Sequence, residues 1–249
     1  MKMNAPVSSE PRPMPRIALL AGGLATRLRP ITTTIPKSMV QVAGEPFVAH
    51  QLRLLASQGI HQVVMCVGYL GDQLRDFVGD GSSFGCEVVF SFDGDELKGT
   101  GGAIKQALPM LGDHFFVMYG DSYLPTQFAP IYDAFLDSGR QGLMTVFKNG
   151  DQWDKSNIEF RDGRIVEYNK RTPTPAMDHI DYGFGILRAK AFAAWNANQV
   201  FDLARVYEAL VAEEELAGYE VKERFFEIGS HEGLDETDSL FVHLRNKGR

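Results

Sequence analysis

The sequence has little of what several protein classes require. Its 249 residues include two cysteines, Cys66 and Cys86, without C-x-x-C spacing, which argues against a disulfide framework and against a cysteine metal or redox site. Both lie in apolar, strand-like runs and are predicted to be buried thiols. No apolar run approaches the roughly 18–20 residues of a membrane span, and no long basic run indicates nucleic-acid binding. These absences favour a cytoplasmic protein with neither membrane nor nucleic acid as a partner.

Several catalytic motifs are also absent. There is no G-x-x-x-x-G-K-S/T phosphate loop, and the first glycine pair does not have G-x-G-x-x-G spacing, which disfavours a dinucleotide-dependent dehydrogenase. The histidines show no H-x-H or H-E-x-x-H grouping, and no local motif indicates a covalent nucleophile. His179, between Asp178 and Asp181, is predicted to lie in a surface loop rather than in a metal site.

What is present is enough for one sizeable folded domain. Hydrophobic residues make up 44% of the chain, and a formal charge of −7 means that positive charge for an anionic ligand must be local. Residues 1–15 are polar and proline-rich, lack the apolar core of a signal peptide and are predicted to form a loose tail. Residues 16–249 are predicted to form a single domain with two halves, about 16–140 and 141–249.

Strand-like and helical patterns alternate along the chain. In the first half, strands are predicted at residues 16–21, 38–43, 63–67, 87–92 and 115–119, and helices at 46–58, 71–78 and 103–108. In the second half, strands are predicted at 143–148, 157–160, 164–168, 182–187 and 225–228, and helices at 202–216 and 232–244. This order predicts a Rossmann-like α/β fold, a mostly parallel mixed sheet with helices on both faces. Such sheets bind ligands at the carboxyl ends of their strands.

A glycine pair follows the first apolar strand. The backbone N–H groups of Ala21, Gly22 and Gly23 can approach a phosphate closely, because glycine has no side chain to block it. Hydroxyl and cationic side chains follow within reach, namely Thr26, Arg27, Arg29 and Lys37. A tight strand exit would explain the glycines alone, but the cations beside them favour a polyphosphate site.

This stretch carries a family resemblance. Gly22-Gly23-Leu24-Ala25-Thr26-Arg27-Leu28-Arg29-Pro30-Ile31-Thr32, followed by Pro36-Lys37-Ser38-Met39, resembles the G-G-x-G-T-R-L-x-P-L-T and P-K-P-M signature of sugar-1-phosphate nucleotidyltransferases. Ala25 stands where the family usually has glycine, and Ser38 where it usually has proline. The resemblance continues more loosely to about Leu240. It implies a GT-A-like architecture, with a nucleotide-binding first half and a sugar-binding second half.

The resemblance implies a magnesium site. Asp121 follows Gly120 at a predicted strand end and matches the family's metal-binding aspartate, although such a residue can also cap a turn. Glu227 in Glu227-Ile228-Gly229-Ser230 stands where the family often has D-x-G-S/T, and its alternative is an exposed residue at a strand end. Mg²⁺ prefers oxygen ligands and needs only one or two protein carboxylates. Arg27, Lys37 and Asp121 are therefore the expected catalytic residues.

Further substrate contacts are expected from the same resemblance. The glycine-rich run from Lys98 to Ala103 matches the segment beside the base and ribose, which makes Thr100, Gly101 and Gly102 candidates. A flexible turn is the alternative. Gln73 is a further candidate for the edge of the base because it follows the predicted strand 63–67. The candidates for the sugar phosphate are Asn157, Glu167, Lys170, Asp181 and Gly183. For Lys170, an ordinary solvated loop is the alternative.

The implied reaction joins a nucleoside triphosphate to a sugar 1-phosphate and releases pyrophosphate. Within the family, the chain most resembles bacterial guanylyltransferases for D-glycero-D-manno-heptose 1-phosphate, which make surface-polysaccharide (lipopolysaccharide or capsule) precursors, so GTP is the expected donor. The N-acetylmuramate 1-phosphate uridylyltransferase type is the alternative. A non-catalytic nucleotide-sugar-binding module is an alternative of another class, and a glycosyltransferase is disfavoured because Ser122 and Tyr123 follow Asp121 without an Asp-x-Asp motif. A homo-oligomer is possible.

Overall fold

The computed structural model describes residues 12–247, so residues 1–11 of the predicted tail lie outside the described residues. Its strands, in chain order, are β1 (Ile17–Leu20), β2 (Gln41–Val42), β3 (Glu45–Pro46), β4 (Gln62–Val67), β5 (Glu87–Phe92), β6 (His114–Tyr119), β7 (Ser122–Tyr123), β8 (Gly142–Lys148), β9 (Ile158–Arg161), β10 (Arg164–Tyr168), β11 (His179–Arg188), β12 (Leu216–Val221) and β13 (Phe226–Glu227). Its α-helices are α1 (Phe47–Ser57), α2 (Gly71–Val78), α3 (Gly99–Leu111), α4 (Phe128–Ser138), α5 (Ala204–Ala212) and α6 (His231–Lys247). Among these described helices, none is long and apolar enough to cross a bilayer.

One nine-stranded mixed sheet organises the fold. Its main order is β10-β9-β11-β6-β1-β4-β5, with β8 beside β11 and β12 beside β8. The strands β6, β1, β4 and β5 are parallel, whereas β11 runs antiparallel to both β6 and β8. The α/β fold with a mixed sheet is confirmed, and the parallel pairings are concentrated in the first half. The carboxyl ends of β1, β5 and β6 therefore meet at one edge of the sheet.

Helices cover both faces because the central strands are apolar on both sides. In β1, Ile17 and Leu19 face the cluster formed with α1, α2 and α4, whereas Ala18 faces the cluster formed with α3 and α5. Cys86 lies in the first cluster and Cys66 in the second, as the buried thiols that the sequence predicts. Because these strands are packed on both faces, the loops that follow their carboxyl ends are attached to a rigid part of the fold.

A third apolar cluster fixes the segment that follows β1. Phe241 of α6 packs with Leu28, Phe47 and Ile228. The Thr237 hydroxyl donates a 2.9 Å hydrogen bond to the Glu227 carbonyl. Helix α6 therefore packs both on the segment at β13 and on the loop between β1 and α1, and it holds these two segments together.

The structure differs from the predicted elements in several places. Helix α4 was not predicted, although Phe128, Ile131 and Phe135 follow helical spacing and are fully buried. The predicted helix 202–216 ends at Ala212, since Leu216 begins β12. The predicted strand 38–43 is a 3₁₀ turn followed by the two-residue strand β2. The predicted helix 103–108 begins four residues earlier, with α3.

His179 corrects a further prediction. It does not lie in a surface loop: it begins β11 and is 5% exposed. Its Nδ1 lies 2.5 Å from Asp178 Oδ1, and its Nε2 lies 3.7 Å from Glu220 Oε1. Asp178 satisfies the Nδ1 atom by a hydrogen bond, and the Glu220 carboxylate lies near the opposite side of the ring, so the buried histidine has compensating polar neighbours.

Candidate active site

Two adjoining cavities open at the carboxyl ends of β1 and β6, each of about 400 Å³. Arg27, Tyr119 and Asp121 line both of them. The first cavity lies against the loop after β1, and the second lies against β11 and the segment before α6. The sheet edge thus offers two chambers that meet at one charged junction.

The loop after β1 forms one wall of the first cavity. Ala21, Gly22, Gly23 and Thr26 all line it. Ala25 adopts the left-handed conformation, with φ of 47°, at the position where the related signature has glycine. The Thr32 hydroxyl donates a 2.7 Å hydrogen bond to the Ala25 carbonyl. This bond holds the loop in its turn although alanine tolerates that backbone less readily than glycine does.

Charged side chains converge at the junction. Lys37 Nζ and Asp121 Oδ2 form an ion pair of 2.6 Å. A Cβ atom at Gly229 would lie 3.0 Å from Lys37 Nζ and 3.2 Å from Arg27 Nη2, and would also collide with the Glu227 carboxylate. Only a residue without a side chain fits there, so glycine leaves room for two cations and two carboxylates to meet around one point.

The electrostatics of Asp121 follow from its neighbours. Burial would raise the pKa of its carboxyl, but the charge and hydrogen bond of Lys37 outweigh burial, and the pKa lies below its usual value. The Ser122 hydroxyl, which donates to Oδ1 at 3.1 Å, contributes in the same direction. Asp121 is therefore ionised across the neutral range, as a metal ligand requires.

Two polar residues that sequence reasoning missed position this pair. The buried Ser38 hydroxyl donates a 2.9 Å hydrogen bond to the Gly120 carbonyl, which joins the Lys37 segment to the end of β6. Gln51 donates from Nε2 to the carbonyls of Tyr119 at 3.0 Å and Ser122 at 2.8 Å. The sequence did contain one indication of this role, because Gln51 is a polar residue at an otherwise apolar position of α1.

Strand pairing brings Glu227 to the same junction. In the short sheet of β7 and β13, Glu227 lies opposite Ser122, and Ile228 N donates a 2.9 Å hydrogen bond to the Asp121 carbonyl. The Glu227 carboxylate accepts hydrogen bonds from Gly229 N and, at 2.7 Å, from the Ser230 hydroxyl. These bonds fix the orientation of the Glu227 carboxylate, and the pairing of β13 with β7 brings its backbone next to that of Asp121.

The donor chemistry fits Mg²⁺. Asp121 and Glu227 supply carboxylate oxygens, and a magnesium ion that also binds phosphate oxygens and water needs no more than these from the protein. Within residues 12–247, no group of three or more His, Cys, Asp or Glu side chains forms a ready metal cage. The pair therefore suits a metal that is shared with a substrate phosphate rather than a structural one.

The glycine-rich segment contacts the first cavity only in part. Thr100 lines the cavity, and its hydroxyl accepts a 2.8 Å hydrogen bond from Leu203 N. Gly101 and Gly102 are not among the lining residues: a Cβ on Gly101 would collide with the Phe201 ring, and one on Gly102 would lie 2.7 Å from the Gln199 carbonyl. These glycines let α3 pack against the segment before α5.

Gln73 also lies outside the lining of the first cavity. Its Nε2 donates a 3.0 Å hydrogen bond to the Thr34 carbonyl, and the neighbouring Tyr69 hydroxyl donates to the Thr33 carbonyl at 2.8 Å. Both bonds tie the start of α2 to the loop after β1. In this structure Gln73 supports the loop.

Asp93, which the sequence did not single out, is a buried carboxylate of the first cavity. It follows β5, is 7% exposed and accepts a 3.0 Å hydrogen bond from Lys98 N on Oδ2. Its other oxygen accepts no hydrogen bond from any described residue. Burial raises its pKa, against the opposing effect of Lys98. Nothing in the local pattern of this loop distinguishes Asp93 from Asp95 two residues later.

The predicted sugar-phosphate residues fall into two groups. Asp181 and Gly183 line the second cavity, whereas Asn157, Glu167 and Lys170 are not among its lining residues. Lys170 Nζ lies 5.5 Å from the centre of the Tyr119 ring, at the margin of the cavity. Asn157 Oδ1 accepts a 3.4 Å hydrogen bond from Asp181 N, and Glu167 lies in β10.

Asp181 itself is held in place within β11. Burial raises the pKa of its carboxyl, with Lys170 acting in the opposite direction. Its Oδ1 accepts a 3.0 Å hydrogen bond from Gly183 N, and the Tyr119 hydroxyl donates to Oδ2 at 3.5 Å. The same tyrosine lines both cavities, so Asp181 is linked to the junction through one side chain.

Comparisons with known proteins agree with this geometry. A family model described as "Nucleotidyl transferase" matches residues 17–157, more than half of the chain. The N-acetylmuramate alpha-1-phosphate uridylyltransferase of Neisseria meningitidis is 26% identical over 226 residues, which cover 89% of this chain and 96% of that protein. A mannose-1-phosphate guanylyltransferase catalytic subunit beta from Drosophila pseudoobscura pseudoobscura is 26% identical, over 86% of this chain. The chain spans 59% of the length of that insect protein.

The fold is also found among solved structures. HddC from Yersinia pseudotuberculosis, crystallised with GMP-PN, superposes with a TM-score of 0.74 at 24% sequence identity. The match covers 92% of this chain and all of the other. At this identity the likeness establishes the common fold.

Proposed function

Because the chain belongs to the nucleotidyl transferase family, we propose that it transfers a nucleoside monophosphate from a nucleoside triphosphate to a sugar 1-phosphate. The observation that supports this most directly is the meeting of Arg27, Lys37, Asp121 and Glu227 where two cavities adjoin. Two anionic substrates that must react need separate chambers and a shared point of charge compensation. The junction has that arrangement.

The proposed reaction is an in-line displacement at the α-phosphorus. The triphosphate lies along the loop after β1, and the sugar phosphate enters from the second cavity; one of its oxygens attacks while pyrophosphate leaves on the opposite side. Arg27 and Lys37 stabilise the charge that accumulates on the phosphates, and the site holds both reactants in the orientation that reaction requires. Mg²⁺ held by Asp121 and Glu227 would screen repulsion between the two phosphates.

For the donor we propose GTP. Guanine presents two adjacent donors, N1–H and the 2-amino group, and a carboxylate accepts both. Asp93 is a carboxylate at the wall of the first cavity, and among the described residues its Oδ1 accepts no hydrogen bond while its Oδ2 accepts one, from Lys98 N. Uracil and thymine present a single N–H between two carbonyl oxygens, which a carboxylate repels. The guanylyltransferase relative and the GMP-PN-bound neighbour support the same choice.

For the acceptor we propose a heptose 1-phosphate of manno configuration, on the resemblance of the whole chain. The alternative is N-acetylmuramate 1-phosphate with UTP, which the Neisseria relative favours because the match covers nearly all of that protein. A non-catalytic binding module would not need the Lys37–Asp121 pair at the junction.

A screen tests the proposal. The protein is incubated with Mg²⁺, each of GTP, UTP, CTP, dTTP and ATP, and a panel of sugar 1-phosphates, and pyrophosphate release is measured. We expect release to require both substrates and to be fastest with GTP and heptose 1-phosphate. Fastest release with UTP and N-acetylmuramate 1-phosphate would replace that assignment. Absence of release for every pair would refute the enzyme assignment.

Gly23→Ala tests phosphate binding by the loop after β1 without disturbing the folding of that loop. A Cβ at Gly23 meets nothing within 4 Å, and the φ of this glycine is not positive, so the fold should tolerate alanine. If a phosphate lies against the backbone there, the added methyl group should raise the KM for the triphosphate at least about tenfold, corresponding to roughly 1.4 kcal/mol.

Gly22→Ala is the contrasting variant. Its Cβ would lie 3.0 Å from Gly68 N, so it should lower the thermal unfolding midpoint, whereas Gly23→Ala should not. Unchanged KM values in a folded Gly23→Ala protein would place the phosphates elsewhere.

Asp93→Asn tests base recognition. The amide offers the guanine donors one acceptor and one competing N–H group, so kcat/KM for GTP should fall at least about tenfold, and the preference over ATP should shrink. Asp95→Asn, an exposed carboxylate of the same loop, is the matched control and should retain the preference. An unaltered base preference in Asp93→Asn would remove Asp93 from base recognition.

A further inference from the structure

The second cavity carries mostly negative charge at the end away from the loop after β1. Among the described residues that line it beyond the junction, four carry carboxylates and one carries a guanidinium: Asp154, Asp181, Glu232 and Glu236 against Arg224. Glu232 has no ion pair among the described residues, and Asp154 has none either. The region that would surround the sugar is therefore acidic, whereas the phosphates are met by cations.

Among the described residues that line this end of the cavity, Arg224 is the one cation, and it is already engaged. Arg224 is paired with Glu236, and its guanidinium carbon lies 3.3 Å from the centre of the Trp153 ring and 5.0 Å from that of Phe226. The guanidinium thus lies between the Trp153 and Phe226 rings, and the Glu236 carboxylate compensates its charge. It supports the wall formed by Trp153 rather than offering a free site for an anion.

The remaining groups suit hydroxyls. An ionised carboxylate can only accept hydrogen bonds, and sugar hydroxyls donate them. The hydroxyl of Tyr182, a lining residue that is 1% exposed, has no hydrogen-bond partner among the described residues, and neither has the buried Nε of Arg224. The hydroxyls of a sugar ring can donate to the carboxylates and accept from the Arg224 Nε–H, whereas a carboxylate on the sugar would meet an excess of negative charge, because Lys170 at the margin of the cavity already acts on Asp181.

Resting on the proposed nucleotidyl transfer, we propose that the acceptor is a sugar 1-phosphate that is rich in hydroxyls and bears no acid group besides the phosphate, and that these carboxylates exclude sugars bearing a further acid group. The exclusion acts by repulsion, since a site can discriminate through an unfavourable contact as well as through a favourable one. The proposal selects between the two acceptors considered above, because muramate carries a lactyl carboxylate and a heptose carries none.

The test compares acceptors that differ only in oxidation at C6. With Mg²⁺ and the triphosphate that gives the fastest release, kcat/KM for pyrophosphate release is measured for mannose and mannuronate 1-phosphates, and for glucose and glucuronate 1-phosphates. We expect kcat/KM for each uronate to be at least about tenfold lower. Raising the ionic strength from about 0.02 M to about 0.3 M should narrow the ratio, because salt screens repulsion at the cavity mouth.

Charge-removing variants assign the effect to residues. The double variant Asp154→Asn, Glu232→Gln should raise the uronate-to-hexose ratio of kcat/KM at least about threefold. Asp137→Asn, an exposed carboxylate on α4, is the matched control and should leave the ratio unchanged. The salt dependence of the unmodified protein gives an independent readout if the double variant does not fold.

Three results would overturn the proposal. Equal or better use of the uronates would refute the acidic exclusion while leaving nucleotidyl transfer intact. A uronate preference that Arg224→Gln abolishes would assign Arg224 to the sugar carboxylate. No release with any sugar 1-phosphate and any triphosphate would refute the proposed function, and this inference with it.

Discussion

Asp121→Asn should lower kcat by about a hundredfold to a thousandfold while the protein remains folded. The substitution removes one negative charge at nearly constant volume, at the point where Asp121 pairs with Lys37 and where β13 brings the Glu227 segment alongside β7. Losses of this size follow when a charge that stabilises the transition state is removed from a preorganised site. EDTA should abolish the activity of the unmodified protein, and Mg²⁺ should restore it.

The control for this variant is Asp137→Asn, which removes an exposed carboxylate from α4 and should retain full activity. Circular dichroism and the thermal midpoint of both variants check folding. Full activity of Asp121→Asn in Mg²⁺ would contradict its assignment as a metal ligand. A silent Glu227→Gln variant would leave Asp121 as the sole direct protein ligand.

Lys37→Met should lower kcat/KM by more than about a hundredfold, roughly 3 kcal/mol of transition-state stabilisation. The methionine keeps most of the length of the side chain and removes its charge. Arg27→Ala is expected to give a loss of similar size, because Arg27 Nη2 and Lys37 Nζ both lie close to the position that a Cβ of residue 229 would occupy. Lys190→Met, at an exposed position, is the matched control.

The same variant should alter the pH dependence. Lys37 holds the pKa of Asp121 below its usual value against the opposite effect of burial. Without the ammonium, only hydrogen bonds such as that from Ser122 would oppose burial, so the pKa of Asp121 should rise and the acid limb of the kcat/KM profile should move to higher pH. An acid limb that does not move would mean that Asp121 does not control it, and unchanged kcat/KM would remove Lys37 from the catalytic site.

Local sequence was sufficient wherever local patterns decide the structure. The predicted helix 71–78 and strands 87–92 and 164–168 have the observed bounds, because apolar spacing and flanking glycines mark them without ambiguity. The positions of Gly23 and Asp121 at strand ends followed from the apolar runs before them. The rule that parallel strands align their carboxyl ends then placed both at one sheet edge.

Contacts between distant segments decided what the sequence did not show. The glycines at 101 and 102 are close to Phe201 and Gln199, about a hundred residues away in the chain. The local sequence does not show these contacts, and the same glycine pattern is also typical of a loop that contacts a base. Arg224 and Trp153 form one wall only because the segment between β12 and β13 meets the loop after β8 in the tertiary structure. Asp93 is distinguished from neighbouring acids by burial alone.

The most direct test of the central claim follows the phosphorus atoms of the nucleotide. GTP carrying radioactive phosphorus at either the α or the γ position is incubated with the protein, Mg²⁺ and the best sugar 1-phosphate, and the products are separated. Nucleotidyl transfer predicts that the α label appears in a nucleoside-diphosphate sugar and that the γ label appears in pyrophosphate, in equal amounts. A γ label in the sugar product or in orthophosphate would contradict it.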